Sequence, residues 1–501
     1  MRTPARPRRL AGTAALALAL LAGLGPATAQ LPTLGDPTDL STRTERQIGE
    51  RIARELYRDP DYLDDPVLVE YVQTLWQPLL AAARVRGELP PELDERYAWQ
   101  VLLGRDRSIN AFALPGGWLG LHLGLVSVTA NRDELASVLA HELSHVTQRH
   151  IARMMTQQNR QAPLVMAAMV LGALAISKNP DAGQALILGG QAAAAQQQLN
   201  FSRDMEREAD RVGLGVLTQA GFEPQGFVTM FDKLQQASRL NDSGAFPYLR
   251  THPMTTERAA DMQSRQQLAA RPTIVPTLQH LLAAARARAL SQAGVDAQRG
   301  LVAEAQASAT SGQPSPRLAA SVYAGALAAS RLRDHDVAAR LAARLRPLVQ
   351  GDAAAERMAR LLGAELALAA GAPARALEEI GPITGAQRPE LLLGAQALVR
   401  TGRAAEAAQA LQTWVSVQPR DAGAWQQLAL AHAAQGQRVR AVRAEAEVQV
   451  AQLDYAAALD RFKAAQDLLR TPGAGDHIEA SIIDTRARHV QSLLREQALE
   501  R

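Results

Sequence analysis

The sequence predicts a mainly α-helical chain with a small β-sheet, in which an α+β domain is followed by an α-solenoid. Apolar residues recur every three or four positions through most of the chain, which is typical of amphipathic helices. One stretch, INAFALPGGWLGLHLGLV at 109–126, has a Pro-Gly-Gly turn between two apolar runs and predicts a β-hairpin. Towards the C-terminus, small and apolar residues repeat at a spacing of 34, the period of a paired-helix repeat.

The first 29 residues have the features of a secretory signal peptide. Four arginines precede an apolar run from Leu10 to Leu24, and a small-residue A-T-A cleavage site ends at Ala29. The apolar run is shorter than the about 20 residues that a membrane span needs. An uncleaved membrane anchor is the alternative. The chain has no Cys, which excludes disulfides and a lipid-modified N-terminal cysteine, so we expect export to a bacterial periplasm.

The charge balance gives no support for nucleic-acid binding. The chain has 54 Lys and Arg against 50 Asp and Glu. The signal segment holds four of the basic residues and none of the acidic ones, so 50 of the 54 basic residues remain against 50 acidic ones. We therefore expect no nucleic-acid partner.

The segment from Gln30 to Gln100 is predicted to be mainly helical. Apolar spacing predicts helices at Thr44–Leu56 and Val67–Leu80, and prolines mark the breaks between them. A strand is predicted at Tyr97–Leu103, just before the hairpin. We expect the helices to form a cap on the core of the domain.

The stretch Ser137–His150, SVLAHELSHVTQRH, contains an H-E-x-x-H motif. On a helix, His141 and His145 lie on one face, so their imidazoles can converge on one metal ion. Glu142 is close enough to reach a water on that metal. Zinc then needs one more protein ligand and one open position.

The third ligand is predicted to come from the carboxylate-rich segment Phe201–Leu217. Glu206 and Asp210 are four residues apart and share a helix face, while Glu208 points away from both. We therefore predict that Glu206 binds zinc and that Asp210 accepts a hydrogen bond from a ligand histidine. On periodicity alone, a charged helix surface explains the pattern at least as well.

Two apolar segments near the motif each allow two interpretations. The hairpin at 109–126 either holds an extended peptide by adding it to the sheet or is an ordinary core hairpin. Pro163–Ile176 is too short to cross a bilayer. With Gln184–Gln198, it is expected to form a buried helical hairpin, and the alternative is a surface in peripheral contact with a membrane.

These motifs together resemble the gluzincin metallopeptidases, the group of the CAAX prenyl protease and the heat-shock protease HtpX. I-N-A-F before a G-G turn, H-E-L-S-H-V-T-Q-R-H, F-S-R-x-x-E-x-E-A-D and T-H-P are similar to the periplasmic β-barrel assembly-enhancing proteases in particular. The resemblance covers roughly residues 30–270 and implies a zincin-type metalloprotease domain. It implies one Zn²⁺ per chain on His141, His145 and Glu206, with Glu142 as the catalytic base. Unlike the integral-membrane members, this sequence carries no predicted spanning helices, which implies soluble periplasmic proteolysis.

The segment T-H-P-x-x-x-x-R provides two more candidate catalytic residues, His252 and Arg258. Either side chain could donate a hydrogen bond to the charge that develops in the transition state. Alternatively, His252 fills the open position on zinc and holds the enzyme inactive. The sequence leaves both roles of His252 open.

The C-terminal region follows the tetratricopeptide pattern, with Trp425, Leu428 and Pro419 at characteristic positions. Stacked repeats of this kind form a concave surface for peptides or partner proteins. The alternative is a generic Ala-rich helical bundle. Pairs at a spacing of 34 are Ala395 with Ala429, Gly402 with Gly436 and Ala407 with Ala441.

The segment from Tyr455 to Phe462 is interpreted as the second helix of a further repeat, and Asp476 and Glu479 as the cap of the last helix. The predicted domains are a signal peptide at 1–29, a zinc metallopeptidase domain at 30–270, a helical connector at 271–316, tetratricopeptide repeats at 317–470 and a C-terminal helix at 471–501.

Two functions follow from these expectations. The first is a periplasmic zinc endopeptidase whose repeats bring unfolded or stalled envelope proteins to the active site. By resemblance, its substrates and partners would be outer-membrane β-barrel proteins and their assembly machinery. The second is a chaperone or assembly adaptor for that machinery, in which proteolysis is latent.

Overall fold

The computed structural model describes residues 40–157, 203–239, 247–266, 276–311, 313–470 and 477–499. The predicted signal peptide and the segments Pro163–Ile176 and Gln184–Gln198 lie outside these residues. Within the described ranges the predicted fold class is confirmed, since helices dominate and the strands form one small sheet. No helix in those ranges combines the length and the apolar character that crossing a membrane requires.

The first helices begin at clear capping signals. The Ser41 side chain accepts a hydrogen bond from the Thr44 amide at 3.1 Å, and Asp65 accepts one from the Leu68 amide at 2.8 Å. Proline at the first helical position is favoured because its fixed φ suits a helix start. The helices are α1, Thr42–Arg58, α2, Pro66–Val85, and α3, Pro91–Arg96.

The sheet has four strands in the order β1-β2-β4-β3. β1 pairs with β2 in antiparallel fashion, β2 with β4 in parallel, and β4 with β3 in antiparallel fashion. β3 and β4 form the predicted hairpin, and β3 lies at the edge of the sheet. The strands are β1, Tyr62–Leu63, β2, Gln100–Gly104, β3, Ala111–Leu114, and β4, Trp118–His122.

Two predicted strand boundaries are wrong. The strand predicted from Tyr97 begins only at Gln100, because the Tyr97 amide closes α3 by bonding to the Leu93 carbonyl and Trp99 adopts a left-handed φ of 51°. The second strand of the hairpin ends at His122. A short helix, α4, Leu123–Val128, takes the place of its predicted end.

The helices that build the site follow the hairpin. The first of them, α5, begins at Asn131, whose side chain accepts hydrogen bonds from the Asp133 and Glu134 amides at 3.0 and 2.9 Å. These acidic residues lie where the helix dipole favours negative charge. The helices are α5, Arg132–Thr147, α6, His150–Gln157, α7, Arg203–Gln219, α8, Gln225–Arg239, α9, Tyr248–Thr251, and α10, Thr256–Gln266.

The C-terminal part is a succession of helices joined by short turns. Gly371, Gly402 and Gly436 have φ values of 75°, 81° and 72°, which glycine adopts without a steric penalty at the end of a helix. The helices are α11, Leu278–Ser291, α12, Val295–Ser311, α13, Pro316–Arg331, α14, His335–Val349, α15, Ala353–Ala369, α16, Pro373–Ile380, α17, Arg388–Arg400, α18, Ala404–Val417, α19, Ala422–Ala434, α20, Arg438–Ala451, α21, Tyr455–Leu469, and α22, His477–Leu499.

One detail of this region differs from the prediction. Because α19 and α20 form the pair that contains Trp425, α21 begins the next pair and is not a second helix. Glu479, predicted to help cap the last helix, is buried and forms an ion pair with Arg443 of α20. Asp476 lies outside the described residues.

The sheet domain and the first helices of the C-terminal part share one apolar core. This core includes Leu139 of α5, Leu282 of α11 and Leu366 of α15, all buried. The predicted connector is therefore an integral part of the core, since α11 packs against both α4 and α13. We call the charged group within it the docking cluster, which consists of Arg286 of α11 with Asp65, Tyr323 and Glu365.

Candidate metal centre

Helix α5 places both motif histidines inside the protein. His141 and His145 are 1% and 0% exposed, and their Nε2 atoms are 3.0 Å apart. Their four-residue spacing produces this convergence, as the motif predicted. The two Nε2 atoms therefore point to the same small volume.

Helix α7 brings a carboxylate to the same volume. The Glu206 oxygens are 3.5 Å from His141 Nε2 and 3.4 Å from His145 Nε2. A glycine permits this approach of α7 to α5. A Cβ atom at Gly213 would lie 3.2 Å from the backbone atoms of Ala140 and from the His141 amide nitrogen, which is closer than most real contacts.

His252 completes the group. It follows α9, and its Nδ1 lies 3.0 Å from Glu206 Oε1 and 3.3 Å from His141 Nε2. Its ring stacks on Tyr248 at a centroid distance of 4.5 Å. Within the described ranges, His141, His145, Glu206 and His252 form the one group of ligand-type side chains that could hold a metal ion, with ligand atoms within 4.8 Å of one another.

The charges of the site fit a divalent cation. Three buried carboxylates, Glu142, Glu206 and Asp210, face one buried guanidinium, Arg258, which leaves two negative charges when the imidazoles are neutral. Both Glu142 oxygens are buried and neither has a hydrogen-bond partner among the described residues. Glu142 Oε1 lies 3.4 Å from His252 Nε2. A bound Zn²⁺ would balance this excess charge, and imidazole and carboxylate are ligands that zinc accepts.

Asp210 and Arg258 lie behind the ligand group. Asp210 Oδ1 is 2.9 Å from His141 Nδ1. Arg258 donates from Nε and Nη2 to the two Asp210 oxygens at 2.7 and 2.8 Å, and its Nη1 lies 2.7 Å from Glu206 Oε2. Arg258 therefore holds two carboxylates in place, and these contacts favour a positioning role over the predicted donor role.

The two motif histidines have opposite pKa shifts. Burial works to lower the pKa of His141, but hydrogen bonds to Asp210 and Glu206 raise it to about 9. Burial lowers the pKa of His145 well below its usual value. For Glu206, burial works to raise the pKa, but His252 and the motif histidines hold it well below the usual value. Glu206 is therefore ionised and His145 neutral, the forms in which these groups bind metals, whereas His141 must lose its proton when a metal binds.

Sequence reasoning missed two residues next to the ligands. His150 Nδ1 is 2.9 Å from His145 Nδ1, and His150 Nε2 is 3.1 Å from Glu208 Oε2. Glu208 does point away from Glu206 and Asp210, as predicted, but towards this second histidine. The signal in the sequence was the histidine five positions after the motif. Burial lowers the pKa of His150 to about 4, so this imidazole is neutral.

Comparison with known proteins decides the class. Residues 71–266 match peptidase family M48, and the chain is 33% identical over 431 residues to the β-barrel assembly-enhancing protease of Yersinia pestis, with 85% of each chain covered. The chain belongs to peptidase family M48. It is accordingly a zinc metalloendopeptidase, as the motifs predicted.

Two further relatives match over shorter lengths. The putative β-barrel assembly-enhancing protease of Vibrio cholerae is 36% identical, and the alignment spans 57% of this chain and 58% of that protein. The mitochondrial metalloendopeptidase OMA1 of Arabidopsis thaliana is 33% identical over 165 residues, 33% of this chain and 31% of that protein. The chain thus spans little more than half the length of the Vibrio cholerae protein and about a third of the length of OMA1.

Proposed function

We propose that this M48 peptidase is a periplasmic zinc endopeptidase with a protein-binding repeat domain, acting in quality control and assembly of outer-membrane β-barrel proteins. The observation that carries the enzymatic part is the convergence of His141, His145 and Glu206 beside the buried carboxylate of Glu142. The names of the relatives support the cellular role. The signal-peptide pattern of residues 1–29 supports export.

In this proposal each residue has one task. Zn²⁺ held by His141, His145 and Glu206 would supply a Lewis acid that polarises the scissile carbonyl and acidifies water. Glu142 accepts the proton of the attacking water and passes it to the departing amine. Its oxygens can do this because no hydrogen bond from the described protein occupies them. Asp210 fixes the orientation of His141 through Nδ1.

The edge of the sheet supports binding of an extended peptide. β3 pairs with β4 on one side and ends the described strand order on the other. An extended substrate added there would form main-chain hydrogen bonds, which do not depend on sequence. This arrangement favours the substrate-binding interpretation of the hairpin over that of an ordinary core hairpin.

The repeat helices form an apolar cleft that could bind unfolded proteins. A cleft of about 660 Å³ lies between the loop at 381–386 and helix α18. Ile383, Ala410, Trp414 and Val417 line it, and Val417 is 69% exposed. Apolar and aromatic side chains in a cleft are typical of sites that bind apolar segments of other proteins. We assign these helices to tetratricopeptide repeats on the strength of the 34-residue period.

His252 is proposed to be an inhibitory fourth ligand. Its Nδ1 lies as close to Glu206 and His141 as those ligands lie to each other, so it occupies the position that water and substrate need. Activation then requires the segment that follows α9 to withdraw. These contacts favour the latch over the donor role.

The enzymatic proposal is tested with the mature chain, by measuring bound zinc and casein cleavage with and without a chelator. Glu142→Gln should keep one zinc per chain and lose about 10²- to 10⁴-fold in cleavage rate, because only the proton carrier is removed. The exposed carboxylate variant Glu95→Gln is the matched control and should retain full activity. Unchanged cleavage by Glu142→Gln would reject the mechanism.

The latch is tested with His252→Ala. Faster casein cleavage than in the unaltered enzyme at saturating zinc is expected, since a position on the metal is vacated. A large loss of activity would instead assign His252 to transition-state donation. The same assay on Tyr248→Leu, which removes the stacked ring, should show a smaller increase.

A second candidate function, a chaperone or assembly adaptor with latent proteolysis, is favoured by the occupation of the metal site by His252. Expression of Glu142→Gln in cells that lack the native protein separates the two functions. If outer-membrane assembly is restored, the adaptor role is sufficient. If the assembly defect persists while the variant is present at normal levels in the periplasmic fraction, proteolysis is required.

A further inference from the structure

A sharp turn after the metal-binding helix returns the chain to one of its histidines. α5 ends at Thr147, and Arg149 has a φ of 53°, in the left-handed region that non-glycine residues rarely adopt. The Arg149 guanidinium donates to the buried Glu45 of α1 at 2.7 Å, which holds this conformation. His150 is thereby placed against His145, and both side chains are 0% exposed.

The direction of each hydrogen bond in this contact follows from the chemistry of imidazole. His145 Nε2 faces His141 and Glu206, so it must carry no proton when it binds a metal. The proton of neutral His145 is then on Nδ1, which donates to His150 Nδ1 at 2.9 Å. His150 in turn carries its proton on Nε2 and donates to Glu208 Oε2 at 3.1 Å.

We propose that His150, backed by Glu208, is a positioning residue that fixes the tautomer and ring orientation of His145 for metal binding. The proposal rests on the zinc site proposed above. We call the chain Glu208–His150–His145 the histidine relay.

The other motif histidine has a partner of a different kind. Asp210 contacts His141 Nδ1 directly, whereas the carboxylate of Glu208 acts on His145 through an intervening imidazole. Metal-binding histidines usually have such an acceptor, and its removal typically weakens metal binding 10- to 100-fold. One helix, α7, thus supplies a carboxylate to the metal and one to each ligand histidine.

A further side chain, Arg153, binds the carboxylate at the end of the histidine relay. Arg153 of α6 donates to Glu208 Oε2 at 2.8 Å, on the solvent side of His150. The contact keeps the carboxylate ionised and its oxygen directed at His150. Because Arg153 is itself partly exposed, its contribution to the relay should be small.

The test uses the full mature chain and measures the zinc dissociation constant by competition with a chelator. His150→Leu removes the acceptor while it preserves an apolar side chain, and we expect 10- to 100-fold weaker zinc binding. His150→Asn places an amide oxygen where Nδ1 was, and we expect binding within a few-fold of the unaltered chain. Glu208→Leu should give an intermediate loss, because the imidazole remains but its tautomer is no longer fixed.

The control is Ile151→Ala, which removes a buried side chain from the same helix and should lower the melting temperature without a change in zinc affinity. A second readout is the ¹⁵N spectrum of the histidine side chains, which should show His145 with its proton on Nδ1 in the unaltered chain. In Glu208→Leu, a mixture of tautomers at His150 is expected.

The possible results separate the relay from the site itself. Zinc binding by His150→Leu within twofold of the unaltered chain, or equal losses in His150→Asn and His150→Leu, would overturn the relay. If His150→Leu does not fold, Glu208→Leu and His150→Asn still decide the matter. Two other results would instead overturn the proposed site. One is that the unaltered chain binds no zinc, and the other is that variants at His141, His145 and Glu206 all bind zinc as tightly as the unaltered chain.

Discussion

Two clusters of buried charge, the metal centre and the docking cluster, are built on opposite principles. In the docking cluster, Arg286 donates to Asp65 at 2.8 and 2.6 Å and reaches the partly exposed Glu365 at 2.8 Å, so the buried Asp65 carboxylate has a cation from the protein itself. In the metal centre, three carboxylates share a single guanidinium, and the balance is left for a cation. A buried charge with a partner in the protein becomes costly only when that partner is removed, whereas the excess negative charge of the metal centre favours the binding of a cation.

The largest effect on stability is expected from Arg286→Met. Asp65 would then be a buried carboxylate without its cation, which costs about 3–5 kcal/mol in the free energy of unfolding. Urea unfolding in the presence of a chelator measures this loss, and zinc affinity of the folded protein should change less than twofold.

The matched double variant adds Asp65→Asn, which removes the stranded charge and keeps an oxygen that can cap α2. It should recover part of the lost stability. If zinc affinity falls as much as stability in Arg286→Met, the two clusters are not independent and the comparison fails.

Zinc removal should have the next largest effect. At free zinc 1,000-fold above the dissociation constant, binding stabilises the folded chain by about 4 kcal/mol. Calorimetry with and without chelator should show this shift in melting temperature, and Arg286→Met should show the same shift as the unaltered chain. Equal melting temperatures with and without zinc would contradict a metal-dependent charge balance.

A smaller effect is expected at the half-buried contact between α17 and the sheet domain. Arg388 donates to Asp421 at 2.8 Å and to Asp64 at 2.7 Å. Its replacement by Met removes charge-assisted hydrogen bonds and should lower the free energy of unfolding by about 1.5–3 kcal/mol. Thermal unfolding should detect this, and activity on casein should be retained below the melting temperature.

The same contact predicts a pH dependence. Burial works to raise the pKa of Asp421, but the hydrogen bond and charge of Arg388 hold it below its usual value. The stabilisation is thus fully present above the unfolded-state pKa of about 3.9 and is lost as the pH falls through the lower folded-state pKa. The difference in melting temperature between the unaltered chain and Arg388→Met should therefore narrow below about pH 4, and a constant difference would contradict this cause.

The smallest effect is expected at the surface. Arg403 and Glu406 form an ion pair at 2.7 Å with both side chains more than half exposed. Solvent and salt screen such pairs, so Arg403→Ala should leave the melting temperature unchanged. A clear loss of stability would show that exposure is a poor guide to the strength of these ion pairs.

Residues on regular helices were predictable at the metal centre. His141, His145 and Glu206 follow from four-residue spacing and from a family pattern, and the helix pairs follow from a 34-residue period. His252 was found only as a candidate, because its position depends on how α9 packs and no local spacing encodes that packing.

The features that the sequence did not predict depend on contacts between distant segments. The left-handed turn at Arg149 is invisible in the sequence, since it is held by Glu45 about 100 residues away. Without knowledge of that turn, the sequence gives no reason to distinguish His150 and Glu208 from ordinary polar residues of two helices. The docking cluster was missed for the same reason, because Arg286, Asp65 and Glu365 come from three separate helices or their caps.

The absent side chain at Gly213 has a consequence for metal affinity. The space between α5 and α7 there is smaller than one methyl group needs, and the obstacle is rigid backbone. We expect Gly213→Ala to push α7 away from α5 and so to move Glu206 away from the two imidazoles, although residue 213 contacts none of these three side chains. The spacing of the ligand atoms thus depends partly on a residue outside the ligand group, because Gly213 lets α7 lie close to α5.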